Sequence, residues 1–447
     1  MTDNTSLALS QAFNKHLSSN LLPVFENMMP TQAIEKYVTD NLSHTRDKVY
    51  TPSRTALSMI LTGVQEDKSL QNTVNIFNAK YEMECKLLMQ RETELLLQSL
   101  AEDSKRKKKA GRPKEYKSKI PKSKRIELSD STVAYNNARK RLPLELLQLI
   151  FENTNRPSDI KEERWHNCRT YITDGTYLQL QDTPDIRDQY PPMENNGMFP
   201  QALLQVFIRQ GSGQLHDFEI GNRKKSELET VLPMLKKMQP GDLLLADDLY
   251  NTYYHFCMIL QQKAHIIVPG KRDRNYTVVK TLSVGDEIVK INQPKQRPDY
   301  VSKETWNDLP KNILLRRIVY QYPTQEGLKT AILYTTLLDK KIEKSEFVLK
   351  YTTRWDIEIC IREIKTLMDI NVLRSKTPDM LRKELTASLI AYNFVRYIIA
   401  KSVENTDFSP QRDIFYEYAP ANRAILLDKR GRVFKRWSSG RSRKNEI

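Results

Sequence analysis

The chain has little that would direct it to or across a membrane. No run of about 18 apolar residues occurs in its 447 positions, so no spanning helix is expected. Its start, MTDNTSLALSQAFNKHL, lacks a basic segment followed by an apolar stretch, which argues against a secretory signal. Cysteine is scarce. Cys85, Cys168, Cys257 and Cys360 lie far apart, with neither a metal-ligand spacing nor the density of a disulfide scaffold, and read as free thiols of a reducing compartment. Acid is also in deficit: 55 Asp and Glu against 71 Lys and Arg leave a net charge of +16. That excess is the electrostatic footprint of a polyanion binder, although a merely basic soluble protein shares it.

What is present is ordinary for a soluble globular chain, with 39% hydrophobic and 28% charged residues. The length exceeds one core and suggests about two to four domains. Residues 7 to 101 have helical periodicity. Thr51-Pro52-Ser53 opens one run, a second passes through Leu70, Val74, Ile76 and Phe77, and residues 82 to 100 continue it. Such pairs suit either a helix-turn-helix-like DNA reader or a plain helical bundle.

The texture then breaks. Residues 104 to 125 hold twelve Lys or Arg in 22 positions, with Glu115 the only acid, and cannot bury a core. Within this linker Gly111-Arg112-Pro113 resembles the centre of an AT-hook, whose arginine enters a narrow minor groove. Ala110 stands where such a motif has arginine, so a nonspecific phosphate-binding linker built on Lys107, Lys108 and Arg112, or a targeting signal in KRKKK, are the other readings. The helical pair that follows carries Arg139, Lys140 and Arg141 as a basic face.

Beyond it the pattern turns to strands at 171–180, 202–209 and 214–220, a helix at 226–238, a buried strand at 243–247, a helix at 251–262 and a strand at 264–269. Three strands followed by alternating helix and strand describe a mixed sheet of the α/β class. Short β patterns fill residues 270 to 348, and a last helical segment spans about 351 to 404.

Three carboxylates stand out by position. Asp174 lies in the first strand before Gly175, Asp247 ends the strand LLLA, and Glu358 sits on the last helical segment. A carboxylate at a strand end costs desolvation unless a cation compensates it, and a pair of Mg²⁺ ions is one solution. Each has a plainer reading: a turn aspartate, a helix cap with Asp248 as its rival, and half of a surface ion pair. Tyr351, Arg354, Glu358 and Lys365 fall at i, i+3, i+7 and i+14, one stripe of a regular helix, whereas Glu363 falls roughly 140° away from Glu358. Such a stripe suits a metal beside a phosphate backbone, and an amphipathic helix with ordinary salt bridges has the same spacing.

At these residues the sequence resembles bacterial insertion-sequence transposases of the DDE type, in the insertion-sequence-four group. That group's signature Y-x2-R-x3-E-x6-K is matched by Tyr351, Arg354, Glu358 and Lys365, and its aspartate contexts by Asp174-Gly175-Thr176 and by Asp247. Asp248 departs from the arginine common after the second aspartate. The resemblance spans roughly 130 to 405. It implies a ribonuclease-H-like α/β core with Asp174, Asp247 and Glu358 as catalytic metal ligands for two Mg²⁺ ions, with Mn²⁺ as substitute. It implies cut-and-paste transposition through a DNA hairpin, by a homodimer on terminal inverted repeats and target DNA, in the bacterial cytoplasm at the nucleoid. Tyr351, Arg354 and Lys365 would contact DNA-end phosphates. Trp306, the only insertion tryptophan, would stack on a flipped base, unless it packs on the sheet. An inactive DNA-binding regulator of transposase descent and a ribonuclease-H-like nuclease are the alternatives.

The implied layout is a helical DNA-binding region (1–103), a basic linker (104–128), a helical connector (129–165), the first part of the core (166–269), a β-rich insertion (270–348), the catalytic and core helices (349–405) and a basic tail (406–447).

Overall fold

The computed structural model describes residues 23–42, 49–106, 128–155, 164–192, 199–270, 274–324, 327–370 and 373–402. Strands β1 (Arg164–Trp165), β2 (Cys168–Gln179), β3 (Gln201–Arg209), β4 (Leu215–Asn222), β5 (Asp242–Leu245) and β6 (His265–Pro269) come first along the chain. Strands β7 (Thr277–Ser283), β8 (Asp286–Asn292), β9 (Asn312–Thr324) and β10 (Gly327–Thr335) follow. All belong to one sheet of order β4-β3-β2-β5-β6-β10-β9-β8-β7, with β1 paired to β2. The meander β2–β3–β4 is antiparallel, while β5 and β6 lie parallel to β2 on its other side. This is the mixed sheet of a ribonuclease-H-like core. Strand β10 runs antiparallel to β6, so the strands of 270–348 extend the core sheet at its edge.

The central strands are buried on both faces, as their near-continuous apolar runs require. One difference from the sequence pattern lies after β4. The single helix expected at 226–238 is two short ones, Glu227–Thr230 and Leu232–Lys236. Pro233 sits in the first turn of the second, and having no N–H it cannot continue the ladder from the first.

Helices cover both faces. One face holds α1 (Thr31–Asn41), α2 (Pro52–Gly63), the long α3 (Leu70–Arg106), α4 (Val133–Arg141) and α5 (Leu144–Thr154). They gather around a 25-residue helix, Pro378–Ser402, through a core that includes Ile34, Met59, Leu146, Leu385 and Phe394. A Cβ on Gly63 would come within 3.1 Å of the Ala391 Cβ, so that glycine lets α2 lie close against the long helix. The other face packs Val231, Leu235, Phe256 and Trp306 against Tyr171, Phe207 and Leu244. Cys168, Cys257 and Cys360 are buried free thiols. Among the described residues no helix is long and apolar enough to cross a membrane.

A buried polar cluster ties the long helix to the sheet. Arg396 is fully buried, lies 3.0 Å from the Glu363 carboxylate, and donates to the Tyr392 hydroxyl at 3.1 Å. Tyr392 in turn donates to the Gly213 carbonyl at 2.9 Å, and Asn393 bonds both backbone groups of Leu215 at 2.8 and 2.9 Å. Removing one member of a buried ion pair strands its partner. Arg396→Ala is therefore expected to cost about 3–5 kcal/mol in urea unfolding. A loss under about 1 kcal/mol, as at a surface pair, would contradict this arrangement.

Candidate active site

The parallel register of β2 and β5 sets the site. Arg169 pairs with Asp242 and Ile172 with Leu245. The same offset carried two residues on brings Asp174 beside Asp247. With side chains alternating, both point to the face of Ile172 and Leu245, which the helical core covers. Both aspartates are half-buried. The Asp174 Oδ1 accepts from the Gly175 N–H at 2.9 Å. The Asp247 Oδ1 accepts from the Leu249 N–H at 2.9 Å and caps a 3₁₀ turn, Asp248–Tyr250. Its capping role and its place in the site thus coexist. Asp248, its rival in the sequence, is exposed.

Burial pushes the Asp174 carboxyl above its ordinary value, and the charges of Asp247 and Glu358 add to this. The Asp247 carboxyl is pushed up by burial and by Asp248. Arg354 acts the other way on both. The site therefore holds excess negative charge that one guanidinium does not balance.

The segment carrying the four-residue signature is helical from 344 to 367 but not regular. An α-helix, Lys344–Thr352, passes into a 3₁₀ turn, Thr353–Trp355, an α-helix, Asp356–Arg362, and a π turn, Glu363–Leu367. The expectation of one even stripe is corrected here, because the twist per residue changes three times along it. What holds the segment on the sheet is anchoring. Tyr351 donates to the Ala246 carbonyl at 3.3 Å, beside Asp247. Lys365 donates to Thr176 Oγ1 and to the Tyr177 carbonyl, both at 3.2 Å, just beyond Asp174.

Between these anchors Arg354 is 8% exposed, its guanidinium 4.5 Å from the Trp355 ring centroid, and its Nε has no hydrogen-bond partner. Glu358 is exposed, and its charge reaches Asp174. Glu363 turns into the core to Arg396, away from the site.

Among the described residues no three carboxylate, His or Cys side chains are already close enough to hold a metal ion. The donor set nevertheless fits a hard divalent cation: oxygens from three elements, with carboxyls pushed up by burial and mutual repulsion that such a cation would relieve.

The remaining residues singled out in the sequence lie elsewhere. Trp306 requires a correction. It is 7% exposed on the helix Lys303–Asp308, edge-on to Tyr253 at 6.1 Å, so its rings are core surface and not a platform for a base. Arg139 lies over Tyr135 and lines a cleft of about 560 Å³ with Lys68, Lys140, Arg374 and Lys376. Lys107, Lys108 and Arg112 lie outside the described residues. Two features had no sequence signal. Trp355 is 59% exposed, and the Glu227 carboxyl, raised by burial and by the charges of Asp174 and Asp247, lies where a Cβ on Gly175 would be. Glu227 reads in the sequence as an ordinary first-turn acid of a Ser226-capped helix.

A family model described as "Transposase DDE domain" matches residues 166–394, just over half of the 447. Several curated relatives align with the chain, among them the two that follow. The transposase InsG for insertion sequence element IS4 of Escherichia coli (strain K12) is 26% identical over 60% of this chain and 61% of its own. The transposase for insertion sequence element IS231F of Bacillus thuringiensis subsp. israelensis is 22% identical over 51% and 55%. The chain thus spans about three-fifths of the length of the curated relatives it matches. A cryo-EM structure of a piggyBac transposase synaptic complex with hairpin DNA overlaps 68% of this chain and 63% of that one, at 10% identity and TM-score 0.35. The matched span contains both strand-end aspartates and the whole anchored helical segment, and by that match the chain belongs to the transposase DDE domain family.

Proposed function

We propose that the protein is a DNA transposase that cuts the ends of its element and joins them to target DNA. The observation that carries this reading is the placement of Asp174 and Asp247 at adjacent parallel strand ends, under a helical segment pinned by Tyr351 and Lys365. Asp174, Asp247 and Glu358 would hold Mg²⁺, or Mn²⁺ in its place. Bound there, two such ions supply Lewis acidity to a scissile phosphodiester and to the attacking oxygen. Arg354 keeps an unpartnered Nε beside the carboxylates and offers it to a phosphate oxygen. Tyr351 and Lys365 hold the strand ends in register with the helix. Hairpin formation, a homodimer on two ends and an N-terminal DNA-binding region belong to the same proposal.

The net charge of +16 and the basic cleft around Arg139 supply sequence-independent attraction to the DNA backbone.

Three outcomes check the reading. With labelled duplexes carrying the element's ends and Mg²⁺ or Mn²⁺, Asp174→Asn, Asp247→Asn and Glu358→Gln each reduce cleavage on the order of a thousandfold, while end binding stays near that of the parent. Binding without cleavage by the parent under any divalent metal would instead leave a regulator, and preference for RNA–DNA hybrids a nuclease. Arg139→Ala lowers the slope of log affinity against log salt by about one. The third outcome concerns stability. Burial raises the folded-state value of the Asp174 carboxyl, so its contribution is fully present below the unfolded value and is lost as pH rises through the folded one. Metal-free Asp174→Asn protein therefore melts a few degrees higher than the parent at neutral pH, and the difference closes in acid.

A further inference from the structure

Asp247 stands at the head of the 3₁₀ turn Asp248–Tyr250, and the Leu249 N–H of that turn holds its Oδ1 at 2.9 Å. The carboxylate can therefore be no steadier than the turn. Asn251 closes the turn, its N–H donating to the Asp248 carbonyl at 3.2 Å. A 3₁₀ turn rises about 2 Å per residue, so Asn251 follows Asp247 within a rise on the order of 8 Å. Whatever fixes Asn251 fixes the frame from which Asp247 projects.

Asn251 is gripped at two points. Its side-chain Nδ2 donates to the Pro269 carbonyl, at the end of β6, at 2.6 Å. A backbone carbonyl can only accept, so the amide has one orientation there. The Arg274 Nη2 donates to the Asn251 carbonyl, also at 2.6 Å. The Arg274 guanidinium is in turn packed on two rings, its carbon 5.4 Å from the Phe256 centroid and 5.5 Å from that of Tyr334. Phe256 belongs to the helix that follows the turn, Tyr253–Gln261, and Tyr334 to β10, where it pairs with Val268 of β6. A charge is a costly fastening at such a place. Burial pulls the guanidinium below its ordinary value, and among the described residues it has no carboxylate partner and its Nη1 no hydrogen bond. Packing alone would favour an apolar side chain. What the arginine adds is a directed donor to the carbonyl that ends the turn.

We propose that Arg274 and Asn251 are positioning residues for Asp247. Together they clamp the turn Asp248–Tyr250 to the end of β6, so that the Asp247 carboxylate is presented beside Asp174 in one orientation before any cation arrives. This rests on the reading of Asp174, Asp247 and Glu358 as cation ligands. Neither positioning residue touches the cation. Both act through the backbone between Asp247 and Asn251, and through the Leu249 N–H that orients the carboxylate. Arg274 also lies just before β7, in the stretch that leads out of the core into the added strands. The same contact therefore makes the orientation of Asp247 depend on how that extension of the sheet is seated.

The experiment is a Mn²⁺ titration of the full chain without DNA, with free Mn²⁺ followed by electron paramagnetic resonance. It is run at a temperature where melting curves show every variant folded, and Asp247→Asn serves as the control for the site itself. Arg274→Met keeps the bulk and loses the donor, and is expected to weaken Mn²⁺ binding about tenfold. Arg274→Lys keeps a donor for the carbonyl and is expected to restore most of that loss. Asn251→Leu removes the other grip and is expected to weaken binding to a similar degree, so it decides the matter if Arg274→Met does not fold. Parent-like Mn²⁺ affinity in folded Arg274→Met or Asn251→Leu, with affinity lost in Asp247→Asn, refutes the clamp and leaves the three-carboxylate site standing. If neither variant folds, or Arg274→Lys binds no better than Arg274→Met, the pair is structural only and the proposal falls. If the parent protein binds no Mn²⁺, or Asp247→Asn binds it unchanged, the reading of the site itself falls.

Discussion

The pairing of β2 with β5 is the constraint on which the rest depends. Because Ile172 lies opposite Leu245, the residues two further along each strand emerge side by side, and these are Asp174 and Asp247. A slip of one residue in either strand would send one carboxylate to the opposite face. The slip is prevented by burial. Strands β2, β3 and β5 carry apolar side chains into cores on both faces, so their register is fixed twice over. The site inherits that rigidity without needing many contacts of its own.

Charge is handled differently in two parts of the same helical layer. Glu363 and Arg396 form a buried pair with hydroxyl and thiol neighbours, which holds the segment 363–367 against the long helix. A few residues earlier, Glu358 and the two aspartates lie near Arg354, and burial and neighbouring carboxylates raise both aspartates. The first arrangement closes upon itself. The second leaves electrostatic work for a ligand, which is the usual way in which a site departs from the stability optimum of its fold.

Much of this was legible in the chain. The strands of the core, the four segments of the insertion and the long apolar helix follow directly from periodicity, because alternation and helical spacing are local consequences of burial. The two aspartates were visible through their strand ends, and Glu363 could be set apart from Glu358 by angle alone. Misreadings came where packing decides. Trp306 could be read as stacking on a flipped base or as packing on the sheet, and Tyr253 and the sheet edge enclose it. Trp355 is exposed under Arg354, which no spacing in the sequence indicates. The regular stripe through Tyr351 and Lys365 assumed one twist, whereas a 3₁₀ turn and a π turn interrupt it. That Glu227 lies against Gly175 could not be found, since the two are more than fifty positions apart.

By itself, then, the sequence determined the class of sheet, the order of its strands' carboxylates and the residue types of the four-residue signature. These are set by short-range pattern and by chemistry that does not depend on neighbours in space. The tertiary structure alone decided which carboxylates face one another, which tryptophan meets solvent, and that the glycine after Asp174 serves the opposite face. Those outcomes depend on register and on contacts between segments distant in the chain, and no local pattern encodes them.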